Sequence, residues 1–133
     1  MWVNELVVSL KDMASNIESP VDFTVDIINI NINSRTGTSL GMIISELVIN
    51  SLKYAFDNIE NSEITIRLSK DEETGNLQLV VGDNGHGIEG DYEAKKGLGS
   101  RLVDIFSRQL KGTYSIDHTH QFVYTLIFKT PLL

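Results

Sequence analysis

The spacing of the apolar residues switches repeatedly between a helical and a strand pattern, and the order of the switches restricts the fold. In residues 2–17 apolar side chains recur every three or four positions, which predicts an amphipathic helix that ends before Pro20. Residues 23–32 are rich in Val and Ile, which predicts a strand. Residues 38–56 return to the helical spacing and predict a second, longer helix.

The second half of the chain contains two predicted hairpins with a helix between them. Their strands are expected at residues 63–70 and 76–82, and at 113–117 and 122–129. The helix is expected at 98–110 and is expected to end at Lys111 and Gly112, with a glycine in the C′ position. The whole order, αβαββαββ, predicts an α/β (α+β) fold, a two-layer sandwich of a mixed, largely antiparallel sheet with helices on one face.

The size and charge of the chain narrow its class. A length of 133 residues with 41% hydrophobic content fits a single domain that spans residues 1–133. The chain has no cysteine, so it has no disulfide and no thiolate metal site. With 18 acidic and 11 basic residues its net charge is −7, which disfavours binding to nucleic acid. No apolar run has the length of a membrane span, so we expect no membrane contact by this segment, although a parent protein could be anchored elsewhere. The absence of cysteine permits a reducing compartment, so we expect a cytoplasmic location.

A polar stripe runs along the second predicted helix. Glu46, Asn50 and Lys53 recur at intervals of four and three residues and therefore share one helical face. The amide oxygen of Asn50 suits Mg²⁺ without adding charge beside a phosphate, and Glu46 could position a water molecule or the outer shell of the metal. Lys53 could reach a phosphate or pair with Asp57. The alternative interpretation is an ordinary solvated helix face.

The segment Asp83-Asn-Gly-His-Gly-Ile follows the second strand of the first predicted hairpin. Asp-Asn-Gly is also a tight-turn sequence, but residues 88–94 lack the strand pattern that a hairpin would require. The glycines Gly85 and Gly87 instead indicate a backbone that passes close to another group. A carboxylate at this point could accept a hydrogen bond from an adenine amino group and would reject guanine, whose carbonyl is a like acceptor.

The segment Gly97-Leu-Gly-Ser opens the last predicted helix. Alone it is a plain helix start, but free backbone N–H groups and the positive end of the helix dipole also suit a phosphate. Cationic side chains stand nearby at Lys95, Lys96 and Arg101. No P-loop sequence occurs, and the third glycine of the dinucleotide-binding fingerprint is missing. The three histidines are assigned no chemistry.

Together, the three segments resemble the N-box, G1-box and G2-box of the GHKL superfamily, which comprises gyrase, the heat-shock chaperone of the same group, histidine kinases and MutL. The resemblance extends over almost the whole chain and implies the Bergerat ATP-binding fold. Glu46-Leu-Val-Ile-Asn-Ser-Leu-Lys-Tyr-Ala-Phe is most similar to the catalytic (HATPase_c) domain of sensor histidine kinases whose ATP lid is short. The segment that begins at Trp2 is similar to the one that joins such a domain to its dimerisation helices.

The resemblance implies a role for each polar residue of the first segment. Asn50 would be the Mg²⁺ ligand, and Glu46 would lie beside it as a second catalytic residue. Lys53 would approach the phosphates, and Tyr54 would flank the nucleotide. The implied cofactors are ATP and Mg²⁺.

The resemblance also assigns roles within the other two segments and the last strand. Asp83 would bind the adenine amino group, and Thr125 on the last predicted strand would assist it through a water molecule. Further residues would shape the pocket floor or let the lid and helix start approach the phosphates: Gly85, Gly87, Ile88, Gly97, Leu98 and Gly99.

The resemblance implies a protein histidine kinase catalytic domain of a two-component system. Only residues 89–97 lie where many histidine kinases have a long lid, which fits the short-lid group. No histidine lies on a predicted helical hairpin, so the phosphoacceptor would belong to a separate dimerisation domain, with a response regulator acting after it. The chain is therefore expected to be cut from a longer protein or to act alone, and to bind ATP with little turnover.

Two further functions share the same pocket. One is a serine kinase of the anti-sigma-factor type, and the other is a non-catalytic nucleotide-binding interaction module. An ATP-driven clamp like gyrase or MutL is disfavoured, because such proteins need long lids and transducer domains.

Overall fold

Five strands and two helices make up most of the chain that the computed structural model describes, which comprises residues 8–9, 12, 21–54, 61–85, 98–118 and 120–129. Only the backbone is described at residues 53, 54 and 98–100. In chain order the elements are β1 (Val21–Ile27), α1 (Ser34–Tyr54), β2 (Ser62–Lys70), β3 (Leu77–Asp83), α2 (Leu98–Gln109), β4 (Thr113–Asp117) and β5 (Val123–Phe128). Val8, Ser9 and Asp12 are also helical, inside the helix predicted for residues 2–17.

The strands form one mixed sheet in the order β1-β2-β3-β5-β4. β1 pairs with β2 in parallel, and all other pairs are antiparallel. This confirms the predicted two-layer arrangement, with both predicted hairpins present. Within the described residues, neither helix combines the length and the apolarity that crossing a bilayer requires.

The core lies between one face of the sheet and the helices. Alternation along β2, β5 and most of β3 directs every second side chain to this face, as the period of two in a strand requires. The strands bury Ile64, Ile66, Leu68, Leu77, Leu79, Val81, Tyr124, Leu126 and Phe128 there. The helices bury Leu40, Ile43, Ile44, Leu47, Val48 and Val103 against them. Each large apolar side chain stabilises the fold by roughly 1.5–3 kcal/mol.

The first strand is shorter than predicted, and the first long helix begins earlier. β1 ends at Ile27 rather than residue 32, although the apolar side chains of the loop at residues 28–33 still pack against the core. α1 begins at Ser34 rather than near residue 38 because Asn33 caps it, the Asn33 Oδ1 atom accepting a hydrogen bond from the Thr36 N–H at 2.8 Å.

The end of α2 also differs from the prediction. The left-handed residue is Lys111, with φ of 54°, and not Gly112. The N–H of Gly112 bonds to the carbonyl of Ser107 and that of Lys111 to the carbonyl of Arg108, so Lys111 is C′ of a Schellman motif and Gly112 is C″. Glycine is required there because a Cβ would lie 2.5 Å from Leu126 Cδ1 and 2.9 Å from a backbone oxygen.

Candidate functional site

The candidate site centres on Asp83, the last residue of β3. The alternation that buries Leu79 and Val81 also turns Asp83 toward the helices, where it is only 6% exposed. Its backbone N–H donates to the carbonyl of Phe122 at 3.0 Å, so the end of the strand remains tied to the chain entering β5. A carboxylate is therefore fixed at the edge of the core.

Neutral hydrogen-bond donors hold this carboxylate. The hydroxyl of Ser51, which is on α1 and 5% exposed, donates to Asp83 Oδ2 at 2.6 Å. The backbone N–H of Gly85 donates to Asp83 Oδ1 at 3.0 Å. A carboxylate offers about four acceptor positions, so these bonds, together with a backbone hydrogen bond at Phe122, leave capacity for a further donor. Among the described residues Asp83 forms no ion pair.

Burial raises the pKa of Asp83 above its ordinary value. The hydroxyl of Ser51 and the backbone groups of Gly85 and Phe122 favour the charged form and oppose this rise in pKa. When it is ionised, the carboxylate carries a buried negative charge that is compensated by neutral donors only. It is consequently a strong acceptor for any N–H group that a ligand brings.

Ser51 is a site residue that sequence reasoning missed. It immediately follows Asn50 but lies on the apolar side of α1, since Leu47 and Val48 stand four and three residues before it and are buried. A hydroxyl on the buried face of a helix almost always has a hydrogen-bond partner. The position of Ser51 on the apolar face of the predicted helix therefore indicates a buried hydrogen bond, but it does not identify the residue that accepts it.

Asn84 fixes the turn that follows Asp83. Its Oδ1 accepts the N–H of Glu63 at 2.7 Å, and its Nδ2 donates to the carbonyl of Asn61 at 2.8 Å. The backbone N–H of Asn84 also donates to the carbonyl of Glu63 at 3.1 Å. The hydrogen bond from the Gly85 N–H to Asp83 Oδ1 makes residues 83–85 an Asx turn and not a two-residue hairpin. The hydrogen bonds of Asn84 attach this turn to the start of β2.

The predicted polar stripe lies on α1. Glu46 and Asn50 are one turn apart and half-buried, and Asn50 is adjacent in sequence to the residue that contacts Asp83. Lys53 and Tyr54 continue the helix backbone, and their side chains lie outside the described part. No group of three or more metal-binding side chains occurs among the residues that the structure describes.

The third predicted segment is described only from the helix onward. α2 begins at Leu98, as expected, and packs against α1. Leu98 and Gly99 are in its first turn, and their side-chain surroundings lie outside the described residues. Gly87, Ile88 and Gly97, and the cations at 95 and 96, also lie outside them.

The prediction for Thr125 is wrong in its register. Thr125 pairs with Val80 of β3 and Ser115 of β4, so its side chain lies on the sheet face that points away from the helices. Asp83 lies on the opposite face, which it shares with Val81. The hydroxyl that contacts Asp83 belongs to Ser51 instead.

Residues 36–132 match the model of the family described as "Histidine kinase-, DNA gyrase B-, and HSP90-like ATPase". The chain belongs to this ATPase family. The match covers every candidate residue from Glu46 to Thr125 and confirms the resemblance of the three segments to that superfamily. A comparison of the sequence with curated proteins finds no match.

Solved structures show the same fold as this ATPase-family domain. The histidine kinase domain of a blue-light activated histidine kinase from Erythrobacter litoralis EL346 has a TM-score of 0.77 at 21% identity and covers 94% of this chain and 61% of that one. Another structure of that kinase has a TM-score of 0.85 at 18% identity, covering 97% and 41%. The histidine kinase AdeS from Acinetobacter baumannii has a TM-score of 0.76 at 18% identity, covering 98% and 64%. This chain thus spans between 41% and 64% of the length of those chains.

Proposed function

We propose that this domain binds ATP, with the adenine amino group donating to the carboxylate of Asp83. The observation that carries the proposal is a buried carboxylate that is held by Ser51 and Gly85, forms no ion pair within the described residues and keeps spare acceptor positions. An exocyclic amino group is a neutral donor and satisfies it. The carbonyl of guanine would place a second acceptor against the carboxylate, so ATP is preferred to GTP.

The polar stripe of α1 would bind the metal and the phosphates. Asn50 supplies a neutral amide oxygen beside Ser51, and Mg²⁺ sites in nucleotide-binding proteins commonly use one or two side chains together with phosphate oxygens and water. The metal, when bound, offsets charge on the phosphates. Glu46 would orient water in the outer shell of the metal, and Lys53 would approach the phosphates. The first turn of α2 would present free N–H groups to them.

We further propose that the domain is the catalytic part of a sensor histidine kinase. It would position the γ-phosphoryl group so that its bond to ADP breaks while a bond to an imidazole nitrogen forms, with ADP leaving. The accepting histidine would lie on a separate dimerisation domain, and a response regulator would then receive the group. The family match supports this proposal, as do solved structures of histidine kinases with the same fold.

Calorimetric titration tests the nucleotide site. Mg-ATP and Mg-GTP are titrated into the parent chain, into Asp83→Asn, and into Asp26→Asn, which makes the same exchange at an exposed strand position. We expect saturable, ATP-selective binding that Asp83→Asn weakens by about tenfold to a hundredfold, because the new amide cannot accept at every position that the carboxylate served. Asp26→Asn should bind like the parent. A folded parent chain that binds neither nucleotide would overturn the proposal.

The phosphoryl acceptor is identified in the full-length protein. Labelling with γ-phosphate-labelled ATP should give a phosphoprotein that loses its label in acid and keeps it in alkali, as phosphohistidine does. A label that survives acid would assign a serine kinase instead, with the nucleotide site unchanged.

A further inference from the structure

A buried hydroxyl pair connects α2 to β5. Ser107 Oγ donates to the carbonyl of Val103 at 2.7 Å, which uses its one hydrogen. The phenol of Tyr124, whose oxygen lies 2.6 Å from Ser107 Oγ, must therefore be the donor in the contact between them. Tyr124 is fully buried, and burial raises its pKa to about 12, so the phenol keeps its proton at neutral pH.

A second contact lies three residues earlier on the same face of α2. The phenol of Tyr114, on β4, donates to Asp104 Oδ1 at 2.6 Å. Asp104 Oδ2 also accepts from Arg108 Nε at 3.0 Å, one turn along the helix. The rings of Tyr114 and Tyr124 stack with their centroids 5.5 Å apart. Two phenols on neighbouring strands therefore form one unit that holds two positions of α2.

These hydrogen bonds fix the orientation of α2 relative to the sheet, whereas apolar packing mainly fixes the distance between the helix and the sheet. Phenylalanine would fill nearly the same volume as either tyrosine, so packing does not require the hydroxyl groups. From Leu98 to Ser107 the helix measures about 13 Å, so a tilt of roughly 10° about Ser107 would displace the first turn by about 2 Å. Hydrogen bonds to a phosphate tolerate only a few tenths of an ångström, so such a tilt would break them.

We propose that Tyr124 and Tyr114 are positioning residues for triphosphate binding: their bonds to Ser107 and Asp104 hold α2 in the orientation that its first turn needs to meet the phosphates. This inference rests on the proposed ATP site at Asp83 and α2. It assigns the adenine end of the nucleotide to the turn at Asp83 and the triphosphate end to the start of α2. Tyr114 and Tyr124 of the β4–β5 hairpin determine the orientation of that helix.

The test compares ATP with adenosine in four proteins. Dissociation constants for Mg-ATP and for adenosine are measured with the parent chain, Tyr124→Phe, Tyr114→Phe and Ile66→Val. Ile66 is buried in β2, which β3 separates from β5, so this control removes core packing without touching the hydroxyl pair. Amide hydrogen exchange in residues 98–102 is followed in the same samples.

Each Phe variant should bind Mg-ATP about three- to tenfold more weakly than the parent, because the phosphate contacts depend on the orientation of α2. Its affinity for adenosine should stay within about twofold of the parental value. Exchange at the start of α2 should quicken. Ile66→Val should keep the parental ratio of the two constants. A parental ratio in both Phe variants, or an equal loss of both ligands, would overturn the inference and leave the ATP site standing. A parent that binds neither ligand would overturn both.

Discussion

Asp83 and Asp104 are carboxylates in two regions of the same core, and they are satisfied in opposite ways. Asp104, which is 25% exposed, accepts from the phenol of Tyr114 and from the guanidinium of Arg108, so the protein supplies its counter-charge. Asp83, which is 6% exposed, interacts among the described residues only with neutral groups, a hydroxyl and backbone N–H groups. The first carboxylate joins structural elements, whereas the second keeps acceptor positions that the described part of the protein does not fill.

The two carboxylates show where this fold accepts a cost in stability. A buried charge without a cation costs free energy, and such groups concentrate at functional sites. The protein could have placed an apolar residue at the end of β3, as it does at Val81 two residues before. It instead directs Ser51 and Gly85 at the carboxylate, which keeps it oriented without neutralising it.

Among the substitutions that test this contrast between Asp83 and Asp104, we expect Ser51→Ala to have the strongest effect. Ser51→Ala leaves a buried carboxylate oxygen without its donor and should lower the free energy of unfolding by about 1–3 kcal/mol at neutral pH. Urea unfolding measures it. Ser39→Ala makes the same change at a buried position of the same helix, about 18 Å away along its axis, and should cost less. Equal losses of unfolding free energy in the two variants would show that the hydrogen bond from Ser51 to Asp83 does not stabilise the fold more than another buried serine does.

Ser51→Ala should also change the pH dependence of ATP binding. The Ser51 hydroxyl lowers the pKa of Asp83, so its removal raises that pKa further. ATP affinity should fall on acidification in both proteins, since the protonated carboxyl is a poorer acceptor, and it should begin to fall at a higher pH in the variant. Coincident profiles, measured by calorimetry across the acid range, would contradict this role for Ser51.

A smaller effect on stability is expected when each carboxylate is replaced by an amide. The changes in stability caused by Asp83→Asn and Asp104→Asn should have opposite signs. The pKa of Asp83 is raised in the native state, so its contribution to stability is full at acid pH and declines as the pH rises through that native-state pKa. Asp83→Asn does not undergo this decline, so its stability relative to the parent should rise between acid and neutral pH. Asp104→Asn should instead lose stability. Chemical unfolding at a series of pH values decides whether the two signs differ.

The smallest effect is expected at Arg108. Its side chain is 79% exposed, so Arg108→Ala should lower the free energy of unfolding by only about 0.3–0.5 kcal/mol, less in high salt. Arg67→Ala, which removes the longer exposed pair with Asp26 at 3.8 Å, is the matched control. A salt-independent loss of more than about 2 kcal/mol at Arg108 would show that Asp104 depends on its cation as a buried group does.

The sequence predicted those parts of the fold that are repeated along the chain. The period of two in β2 and β3 and the helical spacing of α1 need no tertiary information, and both were placed within a few residues. Residues 28–32 carry the same apolar types in a loop that packs on the core, so composition could not separate loop from strand. Asn33 lies between the predicted strand and the predicted helix, and its sequence alone does not identify it as a cap, because cap and loop residues have the same chemistry.

The site depended more on contacts between distant residues. Asp83 could be singled out from its local sequence, but its bond to Ser51 joins residues 32 apart and exists only when α1 crosses the end of β3. Thr125 was misassigned because a shift of one residue in a strand moves a side chain to the other face of the sheet. Tyr114 and Tyr124 carried no local signal, since their role arises from the packing of α2 on β4 and β5.

A double-mutant cycle between protein and ligand decides whether Asp83 accepts the adenine amino group. Mg-ATP and purine riboside triphosphate, which lacks the amino group, are titrated into the parent chain and into Asp83→Asn. We expect loss of the amino group to weaken binding about tenfold in the parent and by less than about twofold in the variant. The same factor in both proteins would show that Asp83 does not contact the amino group, and would contradict the account.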